Sequence, residues 1–437
     1  MQPLSAPSPS APEDAVAPEP GGDGAPPALI PERPLPDLYY TLIERVPPRL
    51  EGIERVQYLA EQLEGTVPPR ERDAVRRLYE RLARKMVELD ASDLDLGGPA
   101  ARGQVWYRVY GRKQPYEAFG TLSQDEATLL ILSQLTRPQQ ERLLDRFAVD
   151  FGYTLPAEGD DPPRRYRTTA YFDNGALGLS KRMLAWKPRS LRSLGFHPLI
   201  EHGFMFERVR DGVTLVTGVT GSGKSTTLDA IIDANNDDFD GHILVVAQPL
   251  EYIHESKRCI VRNREVGTDV ASFVDGMVQG LRQDPDIVVV GEMRDAETIT
   301  AALEMADTGH KVFSTLHTGS AVESIDRIIA EYPPVEQERI RHRLADVLRC
   351  VVSQKLLPSV GGGRVLAKEV LWVTSSARAA IKNGNTGEIY QMIWQGADQG
   401  MVTLEQDLAR LVQIGDVSLE TALDYANNKR RLLSLLR

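Results

Sequence analysis

The sequence has few cysteines, no excess of basic residues and no long apolar run. Its 437 residues include only Cys259 and Cys350, too few for a disulfide framework or a four-cysteine zinc site. We expect both to be buried thiols of a reducing compartment. No stretch reaches the roughly 18 apolar residues that a membrane-spanning helix needs. The formal net charge of −11 argues against a nucleic-acid partner, because binding to phosphates needs a basic face.

The N-terminus also lacks the features of a secretory signal. Residues 1–32 contain no lysine or arginine and no apolar core, so the chain is predicted to be cytoplasmic. Residues 1–36 hold 11 of the 28 prolines and carry five acidic residues against one arginine. A segment with so much proline and so little apolar surface cannot offset the entropy cost of ordering, so we predict a disordered tail. A passive tail is the simpler interpretation, and a partner-docking arm is the alternative.

Two proline pairs introduce the helices predicted for residues 37–90. Pro47-Pro48 precedes a helix predicted over Arg49–Leu63, and Pro68-Pro69 precedes one over Arg70–Leu89, since proline suits the start of a helix and not its interior. In the second helix, apolar residues recur every three or four positions with arginine and glutamate between them. This pattern predicts an amphipathic helix packed on its own domain, with a partner surface as the alternative.

Residues 91–195 have the pattern of a small α+β domain. Val105–Val109 and Arg165–Phe172 alternate like half-buried strands. Gln124–Leu135 and Arg137–Phe147 have helical periodicity. These segments predict a sheet with helices beside it.

After Gly195 the pattern changes to short apolar runs that alternate with helical segments. Such runs are typical of a parallel sheet buried on both faces, and they predict an α/β domain over residues 196–373. Residues 374–437 are predicted to be mostly helical. The four apolar runs are Val213–Thr217, Ile243–Val246, Ile287–Val290 and Lys311–Thr315.

The segment Gly218–Ser225 reads GVTGSGKS and matches the phosphate-binding pattern G-x-x-x-x-G-K-[ST] at every fixed position. It follows a predicted strand and begins a helix predicted over Ser225–Asp233, which is the context that the motif requires. Backbone N–H groups of such a loop wrap phosphates, and the helix N-terminus adds positive potential. Lys224 is expected to reach the β- and γ-phosphates and Ser225 to ligate Mg²⁺. A glycine-rich turn with a chance lysine is the alternative. The candidate ATP-binding residues are Gly218, Thr220, Gly221, Ser222, Gly223, Lys224, Ser225 and Thr226.

A second element follows the predicted strand Ile287–Val290, where Glu292 comes directly after the apolar run and one glycine. Apolar runs that end in an acidic residue are common. Beside a phosphate-binding loop, however, this one indicates a site for Mg²⁺ or for an attacking water. Glu292 is therefore a candidate metal ligand together with Ser225, and a candidate catalytic residue.

Together these motifs resemble the PilT-like ATPases of type IV pili and type II secretion. The resemblance runs in order from Thr214 to Arg327 and extends more weakly over residues 75–437. Beyond the phosphate loop, it is carried by the segments Pro249–Ser256, Glu265–Gly267, Asp284–Asp286, Gly291–Asp295, Thr308–His310 and Thr315–Thr318.

The resemblance implies a RecA-like P-loop ATPase domain preceded by a small α+β, PAS-like domain. It also implies ATP and Mg²⁺ as cofactors and a ring of subunits, expected to be a homo-hexamer that could be mixed with a paralogue. Motion between the two domains would be passed to an inner-membrane pilus or secretion platform, which would hold the chain peripherally at that membrane. A nucleic-acid translocase is the more distant alternative, and the acidic balance argues against it.

One departure from the family concerns its acidic box. The family reads Glu-Asp-Pro where this chain reads Ala247-Gln248-Pro249. The first of those acids is the family's expected catalytic base, which Ala247 cannot replace. Glu251 is retained nearby and could substitute if its loop bends, so it is a further catalytic candidate. Two functions therefore stay open. One is a hydrolysing motor subunit that resembles the twitching-motility retraction ATPase, and the other is an accessory ATP-binding subunit with weak or no hydrolysis.

Four more residues are candidates by resemblance. His317 follows a predicted strand where a γ-phosphate sensor would sit, and a structural histidine is the alternative. Arg165, Arg167 and Arg182 take positions like those of family arginines that reach the nucleotide. The alternative for these three is a salt bridge on a strand face.

Overall fold

The computed structural model describes residues 33–437, apart from Tyr110, Asp160, Asp161, Ala185 and Trp186. The tail predicted over residues 1–36 therefore lies outside the described residues up to position 32. Within the described ranges, no helix has both the length and the apolar character needed to cross a membrane.

Helices occur along the whole described chain. The helices are α1 (Asp37–Glu44), α2 (Gly52–Thr66), α3 (Pro69–Glu88), α4 (Gln124–Leu132), α5 (Arg137–Arg146), α6 (Pro198–Phe204), α7 (Lys224–Asp238), α8 (Phe273–Gly280), α9 (Ala296–Asp307), α10 (Ala321–Ala330), α11 (Pro334–Val347), α12 (Ser375–Lys382), α13 (Ile389–Gln395), α14 (Leu404–Gln413), α15 (Leu419–Tyr425) and α16 (Lys429–Leu435).

The strands fall into two groups along the chain. The strands are β1 (Ala91–Gly97), β2 (Trp106–Val109), β3 (Arg112–Pro115), β4 (Ala148–Leu155), β5 (Arg164–Asp173), β6 (Ala176–Met183), β7 (Gly212–Thr217), β8 (His242–Ala247), β9 (Ile260–Glu265), β10 (Ile287–Val290), β11 (Lys311–Leu316), β12 (Leu348–Pro358) and β13 (Arg364–Trp372).

Each group forms one sheet. The first six strands make an antiparallel sheet in the order β3-β2-β1-β6-β5-β4. The other seven make a sheet in the order β13-β12-β7-β11-β10-β8-β9. That sheet is parallel apart from β13, which runs antiparallel to β12 at one edge. The predicted mixed α/β fold is confirmed.

The antiparallel sheet shares one hydrophobic core with the helices before and between its strands. The core contains buried residues from Leu35 to Leu179. Helix α3 begins with Pro69 in its first position, and its apolar stripe, from Val75 to Met86, is buried. Helix α4 begins with a capping box in which Ser123 and Glu126 satisfy each other's backbone N–H groups. The periodicity read from residues 70–89 thus corresponds to packing within the chain.

The seven-stranded sheet is buried through its centre. Strands β7 and β11 are buried at all six positions and β10 at all four. Continuous apolar strands of this kind occur where helices cover both faces of a parallel sheet. In such sheets ligands bind outside the carboxyl ends of the strands, and here the ends of β7, β8, β10 and β11 share that edge.

The sequence predicted the four central strands of this sheet to within one residue at each end. It missed the outer strands β9, β12 and β13. Cys259 and Cys350 are free thiols and both are buried, as predicted.

Candidate nucleotide-binding site

The phosphate-binding loop connects the end of β7 to the start of α7. Its glycines take backbone conformations that other residues rarely adopt, with φ of +146° at Gly218 and +91° at Gly223, which directly precedes the helix. A Cβ added to Gly218 would lie 2.4 Å from the Ser222 Oγ and 2.5 Å from the Gln354 carbonyl oxygen. The loop therefore requires glycine at Gly218, because strand β12 and the loop itself fill the space beside it.

Lys224 is the first residue of α7, and its side chain folds back over the loop. Its Nζ donates to the carbonyl oxygen of Gly218 at 2.7 Å and to that of Val219 at 3.2 Å. Burial lowers the pKa of Lys224, while the charges of Glu292 and Glu251 raise it. A lysine folded over a glycine-rich loop and subject to the charges of two carboxylates is suited to bind a phosphate chain that carries a cation.

Glu292 is held by a cation and a histidine beyond the end of β10. Its Oε2 accepts from the Arg294 Nε at 2.7 Å, and its Oε1 lies 3.3 Å from the His317 Nε2. The ends of β10 and β11 are locked together, because the Thr315 Oγ1 donates to the Gly291 carbonyl at 2.7 Å. The structure thus brings two of the predicted catalytic residues, Glu292 and His317, into contact.

Glu251 lies near the first turn of α7, where its charge acts on Lys224. Burial raises the pKa of the Glu251 carboxyl, as does the nearby charge of Asp229. A hydrogen bond with Ser225 and the charges of Arg167 and Lys224 act in the opposite direction. The third predicted catalytic residue is therefore placed beside the candidate Mg²⁺ ligand Ser225.

The three candidate arginines have different surroundings. Arg165 is largely buried and pairs with Glu265, at 2.5 Å from its Nη2 to the Oε2. Arg182 is exposed and its Nε lies 2.8 Å from an oxygen of Asp93. Only Arg167 acts on a residue of the candidate site, through its charge on Glu251. The predicted role at the nucleotide stays a prediction for all three.

Two residues that sequence reasoning missed, His254 and Asp229, form a partly buried pair near Glu251. The side chain of His254 is 1% exposed, and its Nε2 lies 3.1 Å from the Asp229 Oδ1. Asp229 lies four residues after Ser225 in the sequence, hence on the same face of α7. The spacing of four residues between Ser225 and Asp229 could have indicated Asp229 from the sequence. It could not have indicated the pairing with His254, which lies 25 residues further along the chain.

The donor set fits Mg²⁺ and a nucleotide. A hydroxyl, from Ser225, and a carboxylate, from Glu292, are the hard oxygen ligands that Mg²⁺ prefers, directly or through water. The ammonium of Lys224 lies over the phosphate-binding loop, where the charges of Glu251 and Glu292 act on it. Together with the strand–loop–helix geometry, this donor set is typical of nucleotide-binding proteins with an α/β core.

The comparison with known proteins gives the family. The family described as "Type II/IV secretion system protein" matches residues 189–413, and the chain belongs to it. The chain is 39% identical to the type IV pilus retractation ATPase PilT of Pseudomonas aeruginosa over 308 residues, which are 70% of this chain and 86% of that protein. It is 32% identical to the type IV pilus ATPase PilU of the same organism, over 82% of this chain and 91% of PilU.

A solved structure has the same architecture. The crystal structure of the pilus retraction motor PilT with bound ADP aligns with a TM-score of 0.72 at 33% identity, and the alignment covers 81% of this chain and 98% of that one. The resemblance to PilT-like ATPases predicted from the motifs is confirmed.

Proposed function

We propose that this chain is an ATP-hydrolysing motor subunit of a type IV pilus or a related secretion machine. The observation that carries the proposal is Lys224, folded over a phosphate-binding loop and subject to the charges of Glu251 and Glu292. The relatives are named as pilus ATPases and a retraction motor, which favours a motor subunit over an accessory one.

ATP and Mg²⁺ are the cofactors of this proposal. Mg²⁺ would be held by Ser225 and Glu292, and it would neutralise charge on the phosphates during phosphoryl transfer. The loop residues, with the side chains of Thr220, Ser222 and Thr226, would wrap the phosphates. Lys224 would stabilise charge on the γ-phosphate, and His317 would report its presence to Glu292, which it already contacts.

The chain is proposed to work in a ring, a homo-hexamer that could include a paralogue. In this proposal the domains comprise residues 37–90, 91–195, 196–373 and 374–437, and the second of them is PAS-like. The ion pair of Arg165 on β5 with Glu265 on β9 joins the two sheets, so it lies where nucleotide-driven rocking would be transmitted. The ring would act on an inner-membrane pilus or secretion platform from the cytoplasmic side.

ATP binding and steady-state hydrolysis by the size-fractionated protein test this function. Lys224→Ala should lower turnover by about 10²–10³-fold, because a preorganised positive charge at the transferring phosphate is lost. Lys429→Ala changes an exposed lysine of α16 and is the matched control. A wild-type protein that binds no ATP, or a Lys224→Ala variant that hydrolyses it normally, would contradict the proposal. Stimulation by DNA would instead support the translocase alternative.

A further inference from the structure

Four buried hydroxyl groups meet where the central strands β7 and β11 leave the sheet. Each comes from a different element, and each residue is at most 3% exposed. This hydroxyl cluster consists of Thr217 at the end of β7, Thr318 just after β11, Ser324 on α10 and Ser353 on β12. A buried hydroxyl needs a hydrogen-bond partner, because an unpaired one costs free energy in apolar surroundings. Here the hydroxyls are partners for one another.

Ser324 is the centre of the hydroxyl cluster. Its Oγ donates to the carbonyl oxygen of Ser320, the residue that caps α10, at 2.7 Å. The same oxygen lies 2.7 Å from the Thr318 Oγ1 and 3.4 Å from the Thr217 Oγ1. Thr217 in turn lies 2.7 Å, Oγ1 to Oγ, from Ser353. The single hydroxyl of Ser324 therefore connects α10 with the ends of both central strands.

Two members of the hydroxyl cluster are next to residues of the candidate site. Thr217 directly precedes Gly218, the first glycine of the phosphate-binding loop. Thr318 directly follows His317, the candidate γ-phosphate sensor. The backbones of the two segments also meet, because Gly218 donates its N–H to the Leu316 carbonyl oxygen at 3.2 Å. A displacement of either segment is therefore transmitted to the other.

Helix α10 gives Ser324 a fixed support. The N–H of Ala321, the first residue of the helix, donates at 2.8 Å to the Oε1 of Glu369 on β13, a residue that is 3% exposed. The side chain of Ser320 accepts from the N–H of Glu323 at 3.2 Å and caps the helix. Because the start of α10 is held by the sheet and by its own cap, the Ser324 hydroxyl has a defined position relative to the sheet.

Close packing alone does not require these hydroxyls. Valine has nearly the shape of threonine without its hydroxyl, and the neighbouring strand residues Val216 and Leu316 are buried and apolar. Hydroxyls that lie 2.7 Å apart add what apolar contacts lack, a fixed distance and direction between the bonded groups. The hydroxyl cluster is thus suited to hold the geometry of the site as well as to fill space.

We propose that the hydroxyl of Ser324 is a positioning group, which holds His317 and the phosphate-binding loop in a fixed position relative to each other. It acts through Thr318 on one side and Thr217 on the other. This inference rests on the proposed function, because its ligand is the nucleoside triphosphate that the loop binds in that proposal. The γ-phosphate lies between the loop and His317, whereas ADP has no phosphate there. The hydroxyl cluster therefore acts on the triphosphate and not on ADP.

Nucleotide binding and turnover of two variants test the inference. Ser324→Ala removes the central hydroxyl, and Thr318→Val removes its partner at nearly the same volume. Each should weaken the binding of a non-hydrolysable ATP analogue and lower ATP turnover by about tenfold, the effect of one hydrogen bond, while the Kd for ADP stays within about twofold. The double variant should lose little more than either single variant, because both remove the same link. Thr318→Ser keeps the hydroxyl and should retain more turnover than Thr318→Val.

Ser133→Ala is the matched control. The Ser133 Oγ donates to the Leu129 carbonyl oxygen at 2.7 Å and lies 3.4 Å from the Tyr39 hydroxyl, so it repeats the surroundings of Ser324 beside the antiparallel sheet. Its removal should leave turnover and both nucleotide affinities unchanged. Thermal unfolding of every variant separates an effect on the site from a general loss of stability.

The inference is wrong if Ser324→Ala behaves like Ser133→Ala. It is also wrong if the affinities for ADP and the triphosphate analogue fall equally, or if the losses in the double variant add. A wild-type chain that binds both nucleotides without turnover contradicts the proposed motor, and the comparison of affinities then still tests the inference. A wild-type chain that binds neither nucleotide contradicts the proposed function and the inference with it.

Discussion

The two sheets each bury a lysine side chain, and they do so by different means. In the antiparallel sheet, Lys181 on β6 has no hydrogen-bond acceptor among the described residues. Its Nζ lies instead 3.6–4.4 Å from the ring centroids of Tyr79, Tyr153 and Tyr166. In the seven-stranded sheet, Lys311 on β11 donates to three backbone carbonyl oxygens at and beyond the end of α6.

The difference shows which lysine satisfies backbone groups that would otherwise lack a hydrogen-bond partner. Aromatic faces attract a cation, but they leave no unsatisfied group when it is removed. Buried carbonyl oxygens are obligatory acceptors, and those at the end of a helix lack a partner within that helix. Lys311 therefore holds the segment after α6 on the sheet, whereas Lys181 fills space between α3 and the strands. Burial lowers the pKa of both, to about 7 for Lys311.

Lys311→Met should give the largest effect in this comparison. It leaves the carbonyl oxygens of Gly203 and Val209 without their donor in a buried place, and each unsatisfied group costs about 1–3 kcal/mol. We expect a net loss of about 3 kcal/mol in the free energy of unfolding, measured by urea denaturation. Lys429→Met on α16 is the exposed control. Unchanged stability of Lys311→Met would show that these carbonyls are satisfied in another way.

The pH dependence of the free energy of unfolding should show whether Lys311 is protonated or neutral in the folded chain. Its pKa of about 7 in the folded chain lies below the unfolded value of about 10.4, so the unfolded state binds more protons between these values. Stability is therefore gained as pH rises above 7, by up to about 1.4 kcal/mol per pH unit. The quantity to measure is the stability difference between wild type and Lys311→Met at pH 7 and at pH 9. A difference that does not change with pH would show that Lys311 stays protonated when folded.

The two sheets also differ in how far the sequence predicts them. The central strands β7, β8, β10 and β11 are continuous apolar runs, so their bounds were predictable from composition alone. Strand β9 reads IVRNRE and lies at the edge of its sheet, where half-exposed polar residues hide the period.

The helix of the phosphate loop was predicted to end at Asp233 but continues to Asp238, because Asn235 and Asn236 are fully buried and satisfied by side-chain hydrogen bonds.

The parts of the candidate site also differ in how far the sequence predicts them. The phosphate loop is local, so eight consecutive residues specify it and its strand–helix context. The partners of the arginines are not local. Arg165 meets Glu265 at a separation of 100 residues, and Arg182 meets Asp93 at 89, which no spacing rule provides. The position of Glu251 likewise depends on contacts of its neighbours Leu250 and His254 with Glu265, Asn263 and Asp229. These contacts are distant in sequence, so the sequence alone could not predict where Glu251 lies.

Lys181→Met should give the smallest effect, with the opposite sign from Lys311→Met. Burial lowers the pKa of Lys181 well below its usual value, and its amine has no hydrogen-bond acceptor among the described residues. Methionine keeps the length of the stem between Tyr79, Tyr153 and Tyr166 and removes that unsatisfied polar group, so we expect a gain of about 1 kcal/mol in the free energy of unfolding. Lys181→Ala is the control, because it removes the stem as well and should be destabilising through the cavity it leaves. A loss in Lys181→Met comparable to that in Lys311→Met would mean that the three rings hold a charged ammonium, and that aromatic faces stabilise a buried lysine as firmly as carbonyl oxygens do.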